Sequence, residues 1–279
     1  MQELIQYFAT ISDDARGIIL VSGLIFFLFL EAWNPLFKFN YGKTKHAFLN
    51  IFFNVTTMII NLLGAILIYN AAIFNSTNSS GLLNIFAMPL WLYILLGLLL
   101  MDLIGSWLIH YIQHKVKWMW KFHLIHHTDP YVDVTSGLRH HPGESVFRLI
   151  FTTLAVLVTG VPFGVVMLYQ TLSAFFGHMT HANIQMPNKI DKILGLIFIT
   201  PHFHKIHHHY VLPYTDSNYG NIFSCWDHLF STARRIDNLK DIIYGIDTHM
   251  EKYENSKLKN LLLIPIQTYR PSVGSKFGG

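Results

Sequence analysis

The chain has 279 residues, of which 52% are hydrophobic and 13% are charged. Soluble domains usually carry about 25% charged residues, so this composition predicts a membrane protein. The formal net charge is +4 at pH 7, but the Lys and Arg residues are spread along loops beside apolar runs, which favours a membrane surface and argues against binding to nucleic acid.

Three apolar segments are each predicted to form one membrane-spanning helix. A helix needs about 20 residues to cross the roughly 30 Å of hydrocarbon in a bilayer. Trp33 marks the interface end of the first and shortest segment. The three segments cover residues 17–33, 47–74 and 90–112.

The charges of the connecting loops predict how these spans are oriented. Residues 38–46 and 114–121 are basic, whereas residues 75–81 carry no charge. Because cytoplasmic loops carry an excess of Lys and Arg, both basic segments are predicted to lie in the cytoplasm.

A fourth apolar region, residues 147–176, contains the sequence TGVPFG near its middle. Gly and Pro mark turns, so we predict a helical hairpin that enters the membrane and returns on the same side, with arms too short to cross fully. The histidines before and after it then meet at the cytoplasmic face. This organisation predicts three units: N-terminal membrane spans in 1–97, a histidine-rich region in 98–235 and a cytosolic tail in 236–279.

Many of the 17 histidines lie in regularly spaced groups. The segments HYIQH, HLIHH and HKIHH place histidines three or four residues apart, on one face of a helix. A lone buried histidine is more often a satisfied core residue than a ligand, but eight imidazoles would each cost about 1–3 kcal/mol if buried without partners. The eight are His110, His114, His123, His126, His127, His204, His207 and His208.

Bound metal would satisfy these imidazoles, since neutral imidazole is a ligand for iron, zinc and copper. Zinc takes about four ligands and an octahedral ion about six, so eight nitrogens fit a two-metal centre with open positions for oxygen or water. The single cysteine, Cys225, excludes an iron–sulfur cluster. The sequence contains no HExxH, GxGxxG or P-loop motif, so electrons would have to come from a partner.

Two long runs carry a family resemblance. HYIQHKVKWMWKFHLIHHTDPYVDVTSGLRHHPGE and HANIQMPNKIDKILGLIFITPHFHKIHHHYVLPYTDSNYGNIFSCWDHLFST resemble the fatty acid hydroxylase / sterol desaturase superfamily of integral-membrane di-iron enzymes. The resemblance implies an all-α fold, with a bundle of membrane helices under a cytosolic helical cap. It further implies hydroxylation or desaturation of a lipid by O2, two iron ions that zinc can replace in preparations, and a cytochrome b5-, ferredoxin- or rubredoxin-like electron donor.

The resemblance also extends the set of candidate ligands. The eight histidines match the family's histidine boxes, and His181 of HAN matches the further histidine between them. His141 of RHHP matches a histidine found in part of the family, as a ligand or a support of one, and His178 is a further candidate. His202 and His209 flank the last box and are predicted to be polar lining.

Acidic residues near the boxes are predicted to support them. Asp102 and Asp227 could each orient a ligand ring by accepting its free N–H, with a helix-packing contact as the alternative for Asp102. Arg139 is predicted to pair with a carboxylate such as Glu144, five residues away.

Two other functions stay open on the residues alone. A zinc-dependent lipid hydrolase would use metal-bound water, but it needs a carboxylate beside the metal, and none lies inside the histidine boxes. A non-enzymatic metal or haem carrier is the second, although haem binding uses paired histidines on facing helices rather than dense clusters.

Overall fold

A computed structural model describes residues 1–236, 238–275 and 277. Within these residues the regular structure is helical, and extended backbone pairs only in isolated bridges such as Pro35 with Ile184. The predicted all-α fold is therefore confirmed. The main helices are α1 (Gln2–Thr10), α2 (Asp13–Trp33), α3 (Lys43–Asn78), α4 (Leu90–Asp102), α5 (Ile109–Lys115), α6 (Lys117–His127), α7 (Pro142–Thr159), α8 (Phe163–His181), α9 (Asn188–Leu194), α10 (Pro201–His207), α11 (Cys225–Leu229), α12 (Lys252–Ser256) and α13 (Leu258–Leu263).

Four helical stretches among the described residues are long and apolar enough to cross a membrane. The first three contain the three predicted spans, and the π-helical turn Leu103–Leu108 joins α4 to α5 in the third. The fourth is α7, which has 18 residues, whereas the sequence predicted an arm too short to cross. The helix is longer because Pro142 occupies its first turn and the His141 side chain caps it. The stretches are Asp13–Trp33, Lys43–Asn84, Leu90–Lys115 and Pro142–Thr159.

The turn between α7 and α8 lies at the end of the bundle opposite the histidines. Gly160 ends α7 in the left-handed conformation, with φ +82°. Its carbonyl accepts hydrogen bonds from the side chains of Asn84 and Tyr93, both at 3.0 Å. The start of α7 and the end of α8 therefore lie together at the histidine end, and the membrane hairpin over residues 147–176 stays a prediction.

Helix α3 is much longer than a bilayer is thick. Its 36 residues correspond to about 54 Å at about 1.5 Å per residue. The C-terminal half packs on α7, where Asn75 Nδ2 donates to Val156 O at 2.6 Å. The N-terminal half continues past the apolar bundle, where Asn50 Nδ2 donates to Thr135 Oγ1 at 2.9 Å.

The C-terminal segment packs on the helix that carries the second histidine group. Leu261 and Ile264 are buried in one apolar cluster with Phe53 of α3 and with Trp120 and Leu124 of α6. This cluster gives the back of α6 a rigid support, so the opposite face of α6 is held toward the histidines of α5 and α10.

Candidate metal centre

Nine buried histidines form two adjacent groups. In each group, every residue offers a ring nitrogen, and these nitrogens lie within 4.8 Å of one another. The rings of His127 and His208, one from each group, stack with centroids 5.0 Å apart. Site A comprises His110, His114, His123, His127 and His207, and site B comprises His126, His181, His204 and His208.

The ring nitrogens of site A converge on a common point. His123 Nε2 lies 3.0 Å from His110 Nε2 and 3.2 Å from His127 Nε2. Two nitrogens bound about 2.1 Å from one ion would lie about 3.0–3.4 Å apart at octahedral or tetrahedral angles. The spacing therefore fits ligands that share one metal ion.

Site B has the same spacing. His181 Nε2 lies 3.1 Å from His126 Nε2 and 3.1 Å from His204 Nε2. His204 Nε2 lies 3.3 Å from His208 Nε2. Because α6, α8 and α10 each contribute to it, site B depends on the packing of three helices.

Backbone carbonyls fix which nitrogen of several rings faces a site. The Nδ1 atom of His110 lies 2.7 Å from Tyr219 O, that of His207 lies 2.6 Å from Ser217 O, and that of His181 lies 2.8 Å from Gly177 O. A carbonyl only accepts, so each Nδ1 carries the proton and each Nε2 presents its lone pair to the site. These rings are held in the tautomer that a metal requires.

The electrostatics of the sites also suit a metal. Burial lowers the pKa of His126, His127, His204 and His208 well below the usual range, and each is further lowered by neighbouring histidines. The rings are therefore neutral at pH 7, which is the form that binds metal.

Two inward-facing nitrogens are left for the metal to satisfy. His114 Nε2 and His207 Nε2 are buried and have no hydrogen-bond partner among the described residues. A buried nitrogen without a partner costs about 1–3 kcal/mol, and a bound ion would remove that cost at both positions.

The structure brings all nine principal candidates together and leaves the other two outside both groups. His141 Nδ1 accepts from Gly143 N at 2.9 Å and so caps α7. His178 lies beside Gly23 of α2. His202 and His209 also lie outside, where each accepts from a backbone N–H, that of Met186 and that of Ile243.

The two predicted aspartates hold backbone rather than ligand rings. Asp102 accepts from the backbone N–H groups of Ile222 and Phe223 at 3.3 and 3.2 Å, so it does not orient a histidine directly. Asp227 accepts from Tyr219 N at 2.9 Å. The carbonyl oxygen of Tyr219 accepts from His110 Nδ1. Asp227 therefore supports site A indirectly, by holding the Tyr219 backbone.

The carboxylate within hydrogen-bond distance of a ligand ring is Glu144. Its Oε1 lies 2.9 Å from His123 Nδ1, 3.0 Å from His140 Nδ1 and 2.8 Å from Arg148 Nε. The predicted pair of Arg139 with Glu144 is wrong, because the Arg139 guanidinium lies elsewhere and donates to Ile125 O, Thr128 Oγ1 and Asn255 O. His123 lies 21 residues before Glu144, so no local interval in the sequence signals this contact.

A cavity of about 410 Å³ reaches site A from the side of the C-terminal segment. His114 and Trp120 form its inner wall, and Lys115 and Asp216 pair beside them. Ile246 and Phe277 add apolar surface. The cavity borders one site A histidine, His114, and its lining has both polar and apolar parts.

Known proteins match the part of the chain that carries both sites. The family model for fatty acid hydroxylases matches residues 94–232, about half of the chain. An ornithine lipid hydroxylase of Rhizobium tropici is 31% identical over 144 residues, which are 52% of this chain and 42% of the relative. These matches confirm the resemblance inferred from the histidine motifs.

Two further relatives are named as a monooxygenase and as a hydroxylase-like protein. An alkylglycerol monooxygenase of Caenorhabditis elegans is 26% identical over 152 residues, 54% of this chain and 29% of its own length. A cholesterol 25-hydroxylase-like protein of Danio rerio is 29% identical over 128 residues, 44% of this chain and 48% of its own. The chain thus spans less than half the length of these relatives. No solved structure matches the chain significantly.

Proposed function

We propose that this chain, a member of the fatty acid hydroxylase family, is a membrane-bound di-iron oxygenase that uses O2 and external electrons to hydroxylate a lipid C–H bond. The observation that carries the proposal is the pair of adjacent, buried imidazole groups at one end of an apolar helical bundle. Relatives named for hydroxylation of lipids support hydroxylation over desaturation.

The ligands in this proposal are the nine histidines of sites A and B, with two iron ions as the native metals. When bound, the ions would supply O2 activation, for which the histidine set leaves open positions. The chain's own contribution is to keep the imidazoles neutral, to fix their tautomers through Tyr219, Ser217 and Gly177, and to shield the site from water.

The surroundings of the site suggest where its partners act. We place the histidine end in the cytoplasm because the basic loops at 38–46 and 114–121 lie at that end of the spans. A small redox protein of the cytochrome b5, ferredoxin or rubredoxin type would supply electrons there. The three units 1–97, 98–235 and 236–279 would then act as membrane anchor, catalytic region and cytosolic tail.

The hydrolase alternative lacks a suitable base among the described residues around the two sites. Two carboxylates lie near site A ligands, and both face the Nδ1 side of a ring, away from the converging Nε2 atoms. Glu144 Oε1 is 2.9 Å from His123 Nδ1, and Asp216 Oδ1 is 3.7 Å from His114 Nδ1. A general base must reach the metal-bound water within hydrogen-bond distance, and both carboxylates lie behind their rings.

Metal content and oxygen incorporation test the proposal. In detergent, the wild-type protein and His228→Ala, which changes an exposed histidine outside both sites, should each hold two irons per chain, whereas His126→Ala and His207→Ala should lose metal. In membranes supplied with a reductant and isotopically labelled O2, a lipid product should carry the label. Label entering only from water would identify a hydrolase, and a metal-free wild type that cannot be reconstituted with ferrous iron would refute the proposal.

A further inference from the structure

Two chain segments of the histidine region expose a row of large apolar side chains. Leu196 is 62% exposed, Ile197 57% and Leu229 68%, with Ile193 and Phe230 exposed beside them. The segments are neighbours, because Ser224 N donates to Ile197 O at 3.0 Å and the His228 ring lies 3.2 Å from Gly195 O. We call these five residues the apolar ridge.

The apolar ridge packs on the apolar helices of the bundle. The Phe230 ring stacks on Trp107 in the third candidate span, with centroids 4.5 Å apart. Next to Ile197, Phe198 packs on Phe176 near the end of α8, with centroids 5.6 Å apart. The ridge therefore lies where the apolar helices meet the histidine region, at the level expected of a membrane interface.

Among the described residues around the apolar ridge, the exposed charges are cationic. Lys189, Lys192 and Arg235 are all exposed. The nearby Asp191 is buried and is held by Thr200 Oγ1 at 2.5 Å and Arg235 Nη1 at 3.3 Å. Exposed apolar side chains bordered by cations are the pattern of segments that lie in a bilayer interface, since anionic headgroups attract the cations.

We propose that the apolar ridge is an interfacial membrane contact: it inserts into the headgroup and acyl boundary of the bilayer without crossing it. The occupant of this surface is phospholipid, not a second protein. A folded chain in water gains nothing by leaving five large apolar side chains together in solvent. Insertion beside the spans removes them from water at no cost in further ordering of the chain.

The apolar ridge would set the height of the metal centre above the bilayer. The Thr200 side chain, which binds Asp191 of α9, also caps α10 by accepting from Phe203 N at 3.1 Å. Helix α10 carries His204 and His207. Thr200 therefore joins α9 of the interfacial segment to α10, a helix that carries one ligand of each site. This link would hold both sites within reach of a lipid carbon that leaves the membrane. This consequence rests on the proposed function, but the contact itself does not.

Site-directed fluorescence can locate the ridge directly. In the full chain, Cys225→Ser removes the only cysteine, and Leu196→Cys or Leu229→Cys then carries a fluorescent label in nanodiscs of phosphatidylcholine and phosphatidylglycerol. Quenching is measured with nitroxides placed near the headgroup or at the acyl-chain end, and with iodide in water. Leu62→Cys, exposed in the second span, and Tyr253→Cys, exposed on α12, are the lipid and water controls.

We expect both ridge labels to be quenched most by the nitroxide near the headgroup, as for a segment buried about 5–10 Å in the interface, and to be shielded from iodide. The Leu62 label should prefer the deeper nitroxide, and the Tyr253 label should respond to iodide. Ridge labels that behave like Tyr253, or that are shielded from both lipid and iodide by another protein surface, would overturn the proposal. The readout needs neither metal nor turnover, so it stays independent of the proposed activity, and agreement of two labels guards against one misfolded variant.

Discussion

Removal of the Glu144 side chain should weaken metal binding at site A. Glu144 is fully buried and its Oε1 accepts from His123 Nδ1 at 2.9 Å, which fixes the ring so that Nε2 faces the other site A histidines. In Glu144→Ala, the His123 N–H is left buried without its partner. That loss costs about 1–3 kcal/mol.

The effect of similar substitutions on metal affinity in other metalloproteins gives the same range of free energy. Loss of a group that holds a ligand histidine lowers metal affinity about 10–100-fold, equivalent to about 1.4–2.7 kcal/mol. We therefore expect Glu144→Ala to lower the affinity of one of the two ions by that factor. Glu144→Gln keeps an oxygen that can accept from His123, so its loss should be smaller.

Competition with a graded chelator, followed by metal analysis per chain, measures the effect. Ser145→Ala is the matched control: Ser145 is buried on the same helix and shares a 2.7 Å hydrogen bond with Thr57 Oγ1, but it contacts no ligand ring. It should lose some thermal stability and keep both ions. Equal metal affinity in wild type and Glu144→Ala, or an equal loss in Ser145→Ala, would refute the assignment of Glu144 as the group that positions His123.

Two further predictions use pairs of similar residues with opposite expected outcomes. His208 lies in site B while the adjacent His209 accepts from Ile243 N, so His208→Ala should lose one ion per chain and His209→Ala none, as measured by metal analysis. Gly160→Ala should lower the free energy of unfolding by more than about 1–2 kcal/mol, because the left-handed φ of +82° alone costs that much and an added Cβ would also lie 2.4 Å from Ser80 O. Gly17→Ala, in a helix with open space around it, should raise stability by up to about 1 kcal/mol in the same thermal unfolding assay.

Local periodicity explains why so much of the centre could be predicted. A three- or four-residue interval on a helix fixes which side chains share a face, whatever the helix packs against. The histidines of α5, α6 and α10 could therefore be grouped from sequence alone. Their division into sites A and B could not, because His126 and His127 are neighbours in sequence but belong to different sites.

Partners that are distant in sequence account for the errors. Arg139 was paired with the nearest carboxylate, but three acceptors brought by α6 and by residue 255 surround its guanidinium. A buried guanidinium is stabilised by whichever acceptors the tertiary fold supplies, and sequence separation does not limit that choice. The same reasoning applies to Asp102, whose partners lie 120 and 121 residues away.

The groups that orient the ligand rings were the hardest to predict, for a chemical reason. Glu144 is the carboxylate among them, and Tyr219, Ser217 and Gly177 contribute main-chain carbonyls. Every residue has a carbonyl, so no residue type marks an acceptor of this kind. The side chain that does mark one is Asp227, because it binds the backbone N–H groups of Tyr219 and Gly220 and so holds the loop whose carbonyl faces His110. A buried aspartate after the last histidine box thus indicates a fixed loop, and a carbonyl of that loop sets the tautomer of a ligand histidine.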